Sequence, residues 1–158
     1  MQSRPGTRHD YPLGGSALEE DRLVHQAIHQ APRSRQLLEQ IGIQPGWNVA
    51  DLGCGPLGIL HILSESVGPQ GHVVGVERES RFVDRARSEL ARRGLTNVTI
   101  VQADALETGL ERGGFELVHE RLLAINVPSR ERLVAEMMSL LRPGGMIVLE
   151  DVDNVSWL

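Results

Sequence analysis

No lysine occurs anywhere in the 158 residues; all 16 basic side chains are arginine. That absence removes the Schiff-base route of covalent catalysis, which needs a primary amine on the protein. Cysteine is nearly absent as well. Cys54 stands alone, which excludes an internal disulfide and a thiolate metal site, and points to a reduced, cytoplasmic setting. No apolar run approaches the roughly 20 residues that a membrane-spanning helix requires. The polar stretch from Met1 to Asp10 lacks the apolar segment of a secretory signal. A positive balance is missing too. With 16 basic and 21 acidic residues the formal net charge is −5, so broad neutralisation of nucleic-acid phosphates is not expected. Arg85, Arg87, Arg92 and Arg93 read as one solvated helix face. The six histidines form no metal-ligand set: His25 and His29 are one helical turn apart, but no third ligand accompanies them.

What remains is ordinary for a single globular domain, with 41% hydrophobic and 23% charged residues and a length sufficient for one core. Residues 1–15 carry Pro5, Gly6, Pro12, Gly14 and Gly15 with no apolar period, and read as a flexible N-terminal arm. Residues 16–158 read as the domain. Ser16 followed by Glu19 is a capping-box pattern that opens a helix through about Gln30, with Leu23, Ala27 and Ile28 turned inward. Pro32 suits the first turn of a second helix, which ends at Ile41 before Gly42.

The pattern then alternates. Asn48–Leu52, His72–Val76, Val98–Val101, Phe115–Val118 and Met146–Glu150 read as five short strands. Between them, Gly58–Val67 and Ser80–Arg93 have helical spacing. A further helix follows Ser129, with Leu133, Val134, Met137, Met138 and Leu141 on its core face. Strands alternating with helices at this spacing call for a parallel sheet with helices on both faces, doubly wound by right-handed crossovers. Ligands of such sheets sit at the carboxyl ends of the strands.

Three positions at that edge carry chemistry. The turn Gly53-Cys54-Gly55-Pro56-Leu57-Gly58 leaves a strand and enters a helix, which lets backbone approach a ligand and aims N–H groups at it. Glu77 ends the second strand, where a carboxylate accepts hydrogen bonds from vicinal ribose hydroxyls. Asp104 follows the third strand, in reach of an adenine amino group. Together they describe an adenosine site. Two cofactor classes use it, because Gly53-x-Gly55-x-x-Gly58 also satisfies the dinucleotide fingerprint. Asp51 two residues before the first glycine, the two helices ahead of the first strand, and Leu141-Arg142-Pro143-Gly144-Gly145 before the fifth strand favour the other class.

Asp51-Leu52-Gly53-Cys54-Gly55, Val74-Gly75-Val76-Glu77, Asp104-Ala105 and Leu141-Arg142-Pro143-Gly144-Gly145 resemble, in order and spacing, class I S-adenosylmethionine-dependent methyltransferases. The segment from Tyr11 through Gln26 resembles the lead-in of a small-molecule subgroup. The resemblance implies a Rossmann-like α/β fold with strand order 3-2-1-4-5 and two N-terminal helices, and S-adenosyl-L-methionine as cofactor, with S-adenosyl-L-homocysteine as product. It implies that Asp51 and the backbone of Gly53, Cys54 and Gly55 face the methionine part. Glu77 would hold the ribose, Arg78 would flank the adenine, and Asp104 with Ala105 would bind its edge. His119 would follow the fourth strand beside the sulfonium, where it is the one candidate for a catalytic base. Leu57 stands where the family usually has glycine, with the third glycine displaced to Gly58.

The duller readings stay open beside these: Asp51 as a cap for the glycine turn, Glu77 as a strand-end charge, Asp104 as an N-cap, and Cys54 as a small buried residue. His119, Glu120 and Arg121 would then be structural or pocket-lining. No Asn/Asp-Pro-Pro-Tyr stretch follows strand four, so likeness to the amino-methyltransferases of DNA is not supported. The expected function is methyl transfer to a small-molecule acceptor. A noncatalytic adenosine-cofactor-binding module and an NAD-dependent oxidoreductase fragment are the alternatives. The family has seven strands, whereas this sequence ends at Trp157-Leu158 after the fifth. The expectation is therefore a truncated domain that lacks strands six and seven and self-associates through its exposed strand-five edge.

Overall fold

The computed structural model describes residues 17–151; the arm, the Ser16 cap and Trp157 lie outside the described residues. Nine elements follow one another: α1 (Ala17–Ile41), β1 (Asn48–Leu52), α2 (Leu60–Val67), β2 (His72–Glu77), α3 (Ser80–Arg93), β3 (Val98–Gln102), β4 (Phe115–Arg121), α4 (Arg130–Leu140) and β5 (Leu141–Glu150). The strands form one parallel sheet in the order β3-β2-β1-β4-β5. Asp51 on β1 registers with Gly75 on one side and His119 on the other, which brings the carboxyl ends of the central strands to one edge.

Alternation along each strand separates two core layers. Val49, Val73, Ile100, Leu117 and Val148 pack with Leu38 of α1, Leu60 and Leu63 of α2, and Val83 and Ala86 of α3. Ala50, Leu52, Val74, Val76 and Val118 face the opposite way, against Leu133, Met137 and Leu140 of α4. Both faces of the central strands are therefore covered, which is why β1 and β2 read as nearly continuous apolar runs.

Several local expectations are corrected. The two N-terminal helices are one: α1 runs through Pro32. Proline removes a single backbone donor, but Ala27, Ser34 and Leu38 are buried at spacings of one and two turns across it, so docking on the sheet holds the helix together. Within its inward stripe, Ile28 is instead 59% exposed. Helix α2 starts at Leu60 because Gly58 has φ +52°, a left-handed conformation that no helical turn accommodates. The buried face of α4 is Leu133, Glu136, Met137 and Leu140, while Met138 is exposed and Leu141 opens β5. Ser129 caps α4 as expected, its side chain accepting from the Arg132 N–H. Gly94 stops α3 in a left-handed conformation.

The arginines of α3 are tied down locally. Arg92 and Arg93 meet Glu89, Arg85 meets Glu20 of α1, and Arg87 donates to the Ile100 carbonyl. No helix among the described residues is long and apolar enough to cross a membrane.

Candidate active site

A cleft of about 1300 Å³ opens at the carboxyl edge of the sheet, between α1 and the loops that leave β1 through β4. Asp51, Gly53, Cys54, Gly55, Glu77, Arg78, Asp104 and Ala105 all line it. The strand order accounts for their convergence, since they leave the neighbouring strands β1, β2 and β3 at the same end.

The glycine turn is held from both sides. The N–H groups of Gly53 and Cys54 both donate to the Val76 carbonyl, at 2.8 and 3.0 Å. A Cβ on Gly58 would stand 2.3 Å from the Cys54 carbonyl oxygen, whereas one on Gly55, at φ +62°, would meet nothing within 4 Å. Gly58 is thus required by the turn itself. Gly55 instead leaves open space over its backbone, where a ligand can approach closely. Burial pushes the Cys54 thiol well above its usual range, with the Asp51 and Glu77 charges adding to the effect. The residue is a neutral packing group, not a nucleophile.

Glu77 is the best-positioned carboxylate. One oxygen accepts from Gly55 N–H at 3.0 Å and the other from Glu79 N–H at 2.8 Å. Only 9% of the residue is exposed. Burial raises its pKa, against the lowering effect of those backbone hydrogen bonds. Each oxygen retains a lone pair for a further donor. On the next strand, Asp104 Oδ1 accepts from Leu106 N–H at 2.8 Å and its carbonyl from Glu107 N–H at 3.0 Å. Asp104 caps a tight turn and not a helix, since none lies between β3 and β4, and its second oxygen is spare. Arg78 pairs loosely with Glu79 at 3.4 Å.

His119 does not stand where it was expected. It lies inside β4, has no exposed surface, and is not among the cleft-lining residues. Strand β4 simply runs further than Val118, so His119 registers with Asp51 instead of following the strand. Its Nδ1–H donates to Asp51 Oδ1 at 2.7 Å, and its Nε2 lies 3.7 Å from Glu150 Oε1. Burial works against charge on the ring, but these two carboxylates overcome it and push the pKa to about 9. The histidine is a buried imidazolium that fixes Asp51, not a base open to a ligand.

Beside it runs a second polar chain. Ser34 of α1, fully buried, donates to Glu150 Oε2 at 2.7 Å and accepts from Arg121 Nη1–H at 3.0 Å. This chain pins α1 over the sheet and places Gln26, Ala27 and Gln30 along the cleft. Glu120, also fully buried, accepts from the Leu123 and Ala124 N–H groups at 2.8 and 3.1 Å. Burial pushes its pKa up to about 7. Those bonds, with Asn126 Nδ2–H donating to the Leu122 carbonyl at 2.6 Å, hold Leu122 at φ +57°. A left-handed non-glycine residue costs roughly 1 kcal/mol.

The pocket-lining reading of the polar cluster holds for Arg121, whereas the cleft wall from Leu122 to Pro128 and the α1 contribution were missed in the sequence. The loop after Arg121 carries no pattern that marks it as a wall, and an amphipathic helix does not announce which end of a sheet it crosses.

This geometry has counterparts. A family model described as a methyltransferase domain matches residues 43–158. The chain belongs to that methyltransferase-domain family. Nocamycin O-methyltransferase of Saccharothrix syringae is 34% identical over 118 residues, covering 75% of this chain and 42% of the relative. A demethylmenaquinone methyltransferase of Listeria monocytogenes is 27% identical over 120 residues, 76% of this chain and 51% of the relative. The chain thus spans about half the length of the curated relatives it matches. Among solved structures, a SAM-dependent methyltransferase from Aquifex aeolicus superposes with a TM-score of 0.77 at 18% identity, over 85% of this chain and 72% of that one; at that identity it shows the fold. An arsenic(III) S-adenosylmethionine methyltransferase from Chlamydomonas reinhardtii gives a TM-score of 0.62 at 30% identity, over 67% and 38%. Within the family, the cleft-lining edge of β1, β2 and β3 falls wholly inside the matched residues.

Proposed function

We propose that this methyltransferase-family domain binds S-adenosylmethionine in the cleft and directs its methyl group to a small-molecule acceptor. The observation that carries the reading is Glu77: a buried carboxylate held by two backbone amides, lining the cleft at the end of β2. Such a group accepts hydrogen bonds from adjacent hydroxyls without moving. The residues fit a sulfonium nucleoside. Gly55 leaves room for close approach, Asp104 keeps one carboxylate oxygen for an amino group, and Asp51, fixed by His119, offers charge to an ammonium.

When bound, S-adenosylmethionine would supply a methyl carbon activated by its positive sulfur, for transfer to a lone pair of the acceptor with the carbon–sulfur bonding pair left on sulfur. The chain's own contribution is alignment and exclusion of water. Gly53 to Gly55 and Asp51 fix one end of the ligand, Glu77 and Asp104 the other, and α1 covers the cleft through the Ser34 contacts. The carboxylates of the cleft, Asp51, Glu77, Glu79 and Asp104, lie on the side of β1 to β3 that this reading gives to the cofactor, which suits an acceptor that arrives ionised or needs no base. Names of relatives such as nocamycin O-methyltransferase support a small-molecule acceptor.

Parallel calorimetric titrations with S-adenosylhomocysteine and NADH test the cofactor. Binding of the former alone is the expected result. Binding of NADH alone would overturn the reading in favour of a dinucleotide site.

A further inference from the structure

Three arginines line the cleft, and two of them have carboxylate partners: Arg22 holds Glu19 at 2.6 Å and Arg78 meets Glu79 at 3.4 Å. Arg121 differs. Among the described residues its guanidinium makes one hydrogen bond, from Nη1–H to Ser34 Oγ at 3.0 Å, and no carboxylate lies within ion-pair distance. A guanidinium has five N–H donors in a rigid fork, so four are uncommitted in a partly buried cleft wall. The nearby carboxylates are engaged elsewhere. Asp51 and Glu150 flank His119, and Glu150 also holds Ser34. Asp51 and Glu150 still act on Arg121 from beyond ion-pair distance, but burial outweighs them and disfavours its charge, so the guanidinium lacks a direct anionic partner.

Position assigns the partner. Across the edge the strand order runs β3, β2, β1, β4, so Asp104, Glu77 and Asp51 occupy one side and Arg121 lies one strand beyond them. Its companions on the wall are apolar, Leu122, Leu123 and Ile125, with the amides Gln30 and Asn126. Resting on the methyl-transfer reading above, we infer that Arg121 is a specificity-determining residue that receives an anionic oxygen of the acceptor, a carboxylate or an ionised enol or phenol, on an otherwise apolar molecule. Paired oxygens match the fork bidentately, which a lysine does not reproduce.

Benzoate, an apolar carboxylate, is the probe. The Arg121 Nε–Hε resonance of the full chain, assigned through Arg121→Lys, is followed with millimolar benzoate, both with and without S-adenosylhomocysteine. Calorimetry then compares wild type, Arg121→Gln and Arg121→Lys for benzoate, for S-adenosylhomocysteine and for 5′-methylthioadenosine, which lacks the carboxylate. The expected result is a saturable benzoate shift in wild type and at least tenfold weaker benzoate binding in both variants, with any change in nucleoside affinity equal for S-adenosylhomocysteine and methylthioadenosine. No shift with benzoate in either state overturns the proposal. So does a tenfold loss of S-adenosylhomocysteine affinity in Arg121→Gln without loss for methylthioadenosine, since the fork would then read the cofactor's own carboxylate. If wild type shifts with benzoate but binds no S-adenosylhomocysteine, the anion site stands and the cofactor reading fails.

Discussion

The buried imidazolium makes a prediction that the composition renders measurable. His119 has a folded pKa of about 9 against an ordinary value of 6.5. A group raised on folding contributes stability that is fully present below its unfolded pKa and is lost as pH rises through the folded one. Between those values each pH unit removes about 1.4 kcal/mol. Neighbouring titrations define the usable window. Glu120, raised to about 7, loses most of its own contribution by that point and adds less than about 0.5 kcal/mol of loss above it. His61, lowered by burial with Arg93 adding to the effect, matters only on the acid side. Cys54, raised by burial, enters once an unfolded thiol ionises, near about pH 8.5. With no lysine in the chain, no ammonium side chain intrudes from above. Urea unfolding from about pH 7 to about pH 8.5 should therefore show a loss of about 2 kcal/mol in wild type, and almost none in His119→Gln. A flat wild-type profile, or a variant that falls in parallel with it, would refute the charged Asp51–His119–Glu150 arrangement.

Other perturbations follow from single contacts. Glu136 accepts from the Thr108 N–H and hydroxyl and from Arg112 at 2.6 to 2.9 Å while nearly buried, so Glu136→Ala should cost about 3 kcal/mol in chemical denaturation by orphaning those donors. Ser129→Ala removes the α4 cap and should cost about 1 kcal/mol by the same assay. Gly58→Ala places a Cβ against the Cys54 carbonyl; it should lower stability by more than about 1 kcal/mol and reduce S-adenosylhomocysteine affinity, because the turn must shift to make room.

Much of this architecture was legible because its signals are local and repeated. Strand β1 is bounded by the turn before Asn48 and the glycine after Leu52, and Gly94 ends α3 on the residue a left-handed cap requires. The convergence of the cleft-lining carboxylates was legible for a related reason: a parallel sheet puts every strand's carboxyl end at one edge, so Asp51, Glu77 and Asp104 meet there whatever the loops do. What escaped is tertiary. Pro32 was read by its backbone chemistry, but continuous burial of Ala27, Ser34 and Leu38 outweighs one missing hydrogen bond. The resemblance put His119 after strand four because the apolar run Phe115–Val118 ends there, and no pattern in that run says that the strand continues through three polar residues. Their burial depends on partners 68 residues earlier for Asp51 and 87 earlier for Ser34, a pairing that only the folded chain reveals.

The central claim is that Glu77 receives the ribose of a sulfonium nucleoside. Its most direct test is the S-adenosylhomocysteine affinity of wild type against Glu77→Gln, with the unfolding midpoint of each unliganded protein measured alongside. A carboxylate hydrogen bond to a neutral donor is worth about 1.5–3 kcal/mol, so the account predicts affinity weaker by roughly ten- to a hundredfold with the fold retained. Equal affinities in the two folded proteins would contradict it.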